Sequence, residues 1–166
     1  MQLIKLSYID VECDVIVLKN SQSCLLLADI REFAFYQYII IAKNAIDKIS
    51  YNRLDKYHEK LFKQNFDCTK IHNLEWLDIS SDPAMFQTLK DNYNEICIDS
   101  KENDISRFLI GQITHFTNQY LYLNPLTVYG KISAAKHKIR SSSIMSISFC
   151  DEYSKVLFEY AKKECK

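Results

Sequence analysis

Glycine and proline are almost absent from this chain, two of each among 166 residues. A sequence so poor in glycine has no phosphate-cradling loop of the GxGxxG or P-loop type, whose backbone must approach a phosphate closely. Collagenous, low-complexity and disordered classes are excluded as well, because 48% of the residues are hydrophobic and 13% aromatic. An excess of one charge is missing too: 21 basic and 21 acidic residues cancel, so no whole-chain argument for nucleic-acid or membrane-surface binding exists. The longest uncharged apolar run, Ala34 to Ala42, is far short of the roughly 20 residues a spanning helix needs. The first residues show no basic segment followed by an apolar one and a small-residue cleavage site, so the expectation is a cytoplasmic protein.

Patterns of catalysis are equally scarce. GxSxG and HExxH do not occur, and His58, His72, His115 and His137 are scattered without cysteine or carboxylate at ligand spacing. Six cysteines (Cys13, Cys24, Cys68, Cys97, Cys150 and Cys165) include no CxxC pair and read as reduced, mostly buried thiols. A non-enzymatic protein with no cofactor and no metal is the expectation.

What the chain does have is uneven charge and an internal repeat. Residues 67 to 104 carry 3 basic and 9 acidic residues, whereas residues 105 to 166 carry 9 basic and 4 acidic. The stretch FLIGQITHFTNQYLYLN (108–124) alternates apolar and polar residues, pauses at a polar turn, and alternates again, as a hairpin does. CDVIVLKNSQSCLLLAD (13–29) has the same design, with Val17, Leu25 and Leu27 answering Ile113, Leu121 and Leu123 at a spacing of 96. Further on, Ile41, Ile46, Ile49 and Tyr51 answer Ile139, Ile144, Ile147 and Phe149 at a spacing of 98. Each block runs into a helical pattern, Leu54, Tyr57, His58, Leu61 in one and Tyr153, Val156, Leu157, Tyr160 in the other. Between the copies Ser81-Asp82-Pro83 offers a capping side chain and a first-turn proline, which predicts a helix over AMFQTLKDNY, followed by a strand at Asn94–Asp99 and a turn at SKEND. Trp76 and Phe66 are expected to pack in the seam between the copies.

The order helix, then five short strands, resembles the Sm-like (LSm) fold. The blocks that carry the resemblance are FLIGQITHFTNQYLYLN, with Gly111, Ile113, Phe116 and Leu123 in the family's places, and KIRSSSIMSISF, with Ile139, Arg140, Ile144 and Ile147. The family's Asp falls at Thr117, its RNA-contacting Asn at Leu121 or nearby Asn118, and its Gly after the arginine at Ser141. The resemblance implies a mostly β, α+β protein of two tandem five-stranded Sm-like or SH3-like barrels, each followed by a helix, with one helix between them. Residues 1–66 would form the first barrel and its C-terminal helix, 67–80 an acidic linker, and 81–166 the second barrel with leading and trailing helices.

Binding is therefore the expected work. The first expectation is a protein partner, met by acidic residues of the middle segment: Asp78, Asp82, Asp91, Glu95, Asp99, Glu102 and Asp104. In its general character, small, non-enzymatic and rich in Ile, Asn, Lys and Tyr with an acidic segment, the chain is similar to bacterial immunity proteins, which implies inhibition of a basic toxin such as a nuclease. The alternative is single-stranded RNA, held by Asn118, Lys136, Lys138 and Arg140, with Tyr120, Tyr122 and Tyr129 available to stack bases.

Overall fold

Alternating apolar residues form strands, and the strands of the two halves repeat one order. The computed structural model describes residues 3–9, 11–32, 34–66, 71–72 and 74–164; Asp67, Cys68 and Cys165 lie outside that set, as does the side chain of Leu54. The first half runs β1 (Leu3–Tyr8), β2 (Val11–Asn20), β3 (Cys24–Arg31), β4 (Ala34–Ala42), β5 (Ile46–Ser50) and α1 (Arg53–Asn65). The second opens with α2 (Asp82–Asn92) and continues through β6 (Glu95–Glu102), β7 (Ile105–Phe116), β8 (Tyr120–Pro125), β9 (His137–Arg140), β10 (Ile144–Phe149) and α3 (Glu152–Glu164). The protein is α+β and mostly β, as the alternation predicts.

All ten strands join one antiparallel sheet in the order β5-β1-β2-β3-β4-β10-β6-β7-β8-β9. Its two halves, β5-β1-β2-β3-β4 and β10-β6-β7-β8-β9, have the same internal order. Their registers agree residue for residue: Leu25 faces Ile41 as Leu121 faces Ile139, and Leu6 faces Ile49 as Ile98 faces Ile147. The irregularities coincide as well, since β2 shifts register between Val17 and Lys19 and β7 between Ile113 and His115. A slip of one residue would turn every side chain to the other face, so matched registers and matched bulges are a stringent correspondence.

Two tandem barrels are the expectation from sequence; the structure shows the strands of both halves joined in one continuous sheet. β4 pairs with β10, placing Tyr38, Ile39, Ile40 and Ile41 opposite Phe149, Ser148, Ile147 and Ser146. The reason is in β4 itself, AFYQYIIIA, which is buried from Gln37 to Ile41 on both faces and would be an adhesive open edge. Aromatic rings fill this seam: Phe149 lies 5.5 Å from Tyr38, 6.4 Å from Trp76 and 5.7 Å from Tyr93 between ring centroids. Phe66 stacks on Phe62 at 4.5 Å and packs against the same core.

The segment expected to be an acidic linker is a packed strap over its described part. Leu74, Leu77 and Ile79 are buried in one core with Cys24, Leu26 and Ile40 of the first half. Lys19 Nζ donates to the carbonyls of Leu74 (2.8 Å) and Leu77 (2.7 Å), and the backbone N–H of His72 donates to the Tyr38 hydroxyl at 2.8 Å. The carboxylates of Glu75 and Asp78 face outward between these anchors, which is why the charge pattern concealed the apolar one. A buried leucine contributes about 1.5–3 kcal/mol, so two leucines and an isoleucine hold the strap firmly.

Local signals set the element ends. The Ser81 hydroxyl accepts from the Ala84 N–H and Pro83 sits in the first turn of α2. Asn52 and Asp55 cap α1 reciprocally, and the buried Asp151 carboxylate accepts the Ser154 N–H at 2.7 Å to cap α3. β6 runs three residues past its expected end at Asp99, to Glu102. The hairpin then needs only Asn103 and Asp104, both at positive φ (51° and 62°), the geometry of a two-residue turn that Asn and Asp tolerate.

Candidate functional site

Every strand of the sheet has two faces, and the two halves treat their outer faces differently. In β8, Leu121 and Leu123 are buried, while Tyr120 and Tyr122 point the other way and stay half-exposed. Their first-half counterparts at a spacing of 96 are Cys24 and Leu26, which the strap covers. The counterpart of Lys138 in β9 is the buried Ile40, and the counterpart of His115 is Lys19, the residue that anchors the strap. The outer face of the second half is therefore the same surface without its cover.

Cations and aromatic rings are interleaved on that open face. Lys138 Nζ lies 3.7 Å above the centroid of the Tyr120 ring. His115 stacks on Tyr122 at 3.9 Å with the ring planes 14° apart, a pairing that the bulge between Ile113 and His115 aligns. Arg140 ends the strand and approaches Glu102 at 3.7 Å, with both side chains about half exposed. Lys136 is exposed immediately before β9, so strand alternation puts Lys138 and Arg140 on one face and leaves Lys136 at its start. Tyr129 stands apart, 82% exposed on the turn between β8 and β9.

A pocket of about 320 Å³ adjoins this face, with Asn118, Tyr120, Arg140 and Ser141 in its wall. A second pocket, about 400 Å³, occupies the seam between the halves; its wall includes Gln22, Ser23, Lys43 and Asn44 together with Met85 and Phe86 of α2. The two share Asp82, Ser141 and Ser142. They are also counterparts: Gln22 answers Asn118 and Asn44 answers Ser142 at the repeat spacings. The Ser141 hydroxyl is buried and has no hydrogen-bond partner among the described residues, so a polar group bound there would relieve a cost of about 1–3 kcal/mol. Sequence reasoning reached Asn118 and Arg140 but missed Gln22, Ser23 and Asn44, although the repeat spacing points from one set to the other.

The acidic candidates do not converge. Glu95 binds Lys162 of α3 at 2.6 Å and accepts from Gln112 at 3.2 Å. Asp99 accepts the Ser146 hydroxyl at 2.9 Å, and burial pushes its carboxyl above the usual range. Glu102 meets Arg140, and Asp104 meets Lys101 at 3.4 Å. Three remain on α2 and its approach: Asp78, held below the usual carboxylate range by the Ser80 N–H; Asp82; and Asp91, which accepts from Gln87 at 2.6 Å.

β8 lies between the strands that carry His115 and His137, so these histidines do not meet. Among the described residues no group of three or more histidines, cysteines or carboxylates is arranged to hold a metal ion. Cys13, Cys24, Cys97 and Cys150 are free thiols; burial pushes Cys13 and Cys97 up to about 12, away from nucleophilic use. No helix is long and apolar enough to cross a membrane among the described residues.

No family model, no curated protein and no solved structure matches this chain.

Proposed function

We propose that this chain is a non-catalytic binding protein and that the open face of its second half takes single-stranded RNA. The observation that carries this reading is the interleaving of Lys138 over Tyr120 and His115 against Tyr122 on a sheet face whose first-half counterpart is covered. Aromatic rings accept bases of any sequence, and adjacent cations follow the phosphates. Asn118 and Arg140 share a pocket wall with Tyr120, which gives a base edge something to hydrogen-bond. Two Sm-like units in tandem fit the repeated strand order, with the RNA face kept by one unit only. The protein-partner reading draws on Asp78, Asp82 and Asp91, which share α2 and its approach; it is the weaker one, because Glu95, Asp99, Glu102 and Asp104 have partners within the chain.

The test is a fluorescence-anisotropy titration of a labelled oligouridine 10-mer at about 50 and 200 mM salt. Tyr122→Ala should weaken binding about 5- to 150-fold, the range for loss of one base–aromatic stack. Lys138→Ala should reduce the salt slope by about 0.7. Absence of binding at 50 mM salt, or binding that Tyr122→Ala leaves unchanged, refutes the RNA reading. A protein captured instead, and lost when Asp78, Asp82 and Asp91 become asparagine, would favour the second.

A further inference from the structure

The helices that follow the two halves are counterparts, yet they show solvent different faces. α1 exposes Tyr57 among four cations, Arg53, Lys56, Lys60 and Lys63. α3 buries Ser154, Phe158 and Ala161 and turns Tyr153, Val156 and Tyr160 outward, at 63%, 60% and 51% exposure. These three recur at i, i+3 and i+7, so they form one stripe along the helix. The fold does not require such a stripe, because α1 holds the same place in the repeat without one. A Cβ on Gly130 would lie 2.9 Å from the Tyr160 ring, which sets the turn that carries Val128 (94% exposed) and Tyr129 (82%) against the end of the stripe.

We propose that this surface pairs two copies of the chain about a two-fold axis, with their α3 helices antiparallel. Charges at the ends of the stripe select that orientation. Glu152 and Lys163 stand about three turns apart, which puts both in line with the apolar residues between them. A two-fold axis joins a surface to itself, so it needs a patch whose two ends are complementary. Antiparallel helices supply the match twice: Glu152 of each copy meets Lys163 of the other, and Tyr160 of each seats between Tyr153 and Val156 of the other. Their dipoles then oppose, which is favourable as well. Parallel helices would set glutamate against glutamate and lysine against lysine. The area suits a stable pair. At roughly 150–250 Å² per aromatic side chain, the exposed parts of Tyr129, Tyr153 and Tyr160 amount to about 300–500 Å². With Val128, Val156 and the end charges the patch approaches the roughly 800 Å² per partner of a standard interface. The surface lies on α3 and its neighbouring turn, away from Tyr120, Tyr122 and Lys138, so the proposal does not rest on the RNA reading.

Sedimentation velocity of the full chain over about 1–200 μM should show 19.5 kDa passing to twice that mass as concentration rises, with no larger series. Val156→Glu sets two carboxylates beside the axis and should weaken the dimer about a hundredfold; the position is exposed and glutamate is the better helix former, so the fold is retained. Glu152→Lys and Lys163→Glu, each alone, put like charges at both ends and should raise the dissociation constant about tenfold. An equimolar mixture of these two variants should recover the parent's value to within about threefold, because each meets its opposite at both ends. A chain that stays at 19.5 kDa throughout overturns the proposal, including one whose stripe takes a different protein instead. So does a dimer indifferent to Val156→Glu, or a mixture that associates no more tightly than either charge variant alone.

Discussion

Gly111 is the position where the fold leaves least room, and replacing it with alanine tests how closely β7 and β8 approach. It is buried in β7 opposite Pro125, and a Cβ placed there would lie 2.7 Å from the Asn124 carbonyl oxygen and 3.1 Å from the Pro125 Cα. Both neighbours are backbone, so no side chain can rotate away; the ladder itself must open. Overpacking of this kind costs about 1–3 kcal/mol. Alanine also restrains the unfolded chain and suits a strand better than glycine, which returns about 0.5–1 kcal/mol. Taken at the middle of each range, the net loss for Gly111→Ala should be about 1.25 kcal/mol, and at about 2–4 °C per kcal/mol for a chain this size the thermal midpoint should fall by about 2.5–5 °C. Urea denaturation followed by the fluorescence of Trp76, the single tryptophan and packed against Phe149, reads the change at the seam; circular dichroism reads it over the sheet. The first-half counterpart, Val15, carries a full side chain and is wholly buried, so the restriction belongs to the close approach at Asn124–Pro125 and not to the strand order. A Gly111→Ala protein as stable as the parent, within about 0.3 kcal/mol, would refute the reasoning.

Two further outcomes follow from buried carboxylates. Burial raises the Asp99 carboxyl more than the Ser146 hydroxyl lowers it. A carboxyl raised in the folded state favours folding while protonated and loses that contribution as pH rises through its folded-state value, so Asp99→Asn should stabilise the protein at pH 7 and lose its advantage as pH falls into the ordinary carboxylate range; a gain equally large at pH 3, measured by urea midpoints, would contradict this. Asp151 accepts the N–H of Ser154 at 2.7 Å and is 4% exposed, so Asp151→Ala should cost about 1–2 kcal/mol while Asp151→Asn keeps most of the cap. Equal urea midpoints for the alanine and asparagine variants would rule the cap out.

Much of the architecture was legible because strand alternation and helix caps are local. The hairpin at 108–124, the helix announced by Ser81 and Pro83, and the correspondence of Leu25 with Leu121 needed only neighbouring residues to be read. The union of β4 with β10 was not, since it joins residues about a hundred positions apart and no local pattern encodes a distant partner. Its one local trace was the unbroken apolar run of β4, which alternation does not explain and burial on two faces does. The strap was hidden for a different reason: its carboxylates drew attention from Leu74, Leu77 and Ile79, which recur too irregularly for either a helix or a strand. The candidate face was half legible. Lys138, Arg140 and Asn118 were in view, but that Tyr120 and Tyr122 remain open depends on the second half having no strap of its own, which only the packing of the first half brings out.

The pairing of β4 with β10 also sets an order of events during synthesis. Partners β1, β2, β3 and β5 of the first half are all made within the first 50 residues, so most of that half can form early. The outer edge of β4 cannot be satisfied until Phe149 has been made, about a hundred residues later. At about 5–20 residues per second that interval is roughly 5–20 s, and throughout it the stretch YIIIA presents unpaired backbone to whatever is nearby. Apolar, uncharged and free of proline, it has the composition that nucleates aggregation. The nascent chain therefore carries an aggregation hazard at the junction that later joins its two halves, and a chain released before β10 is complete exposes that hazard permanently.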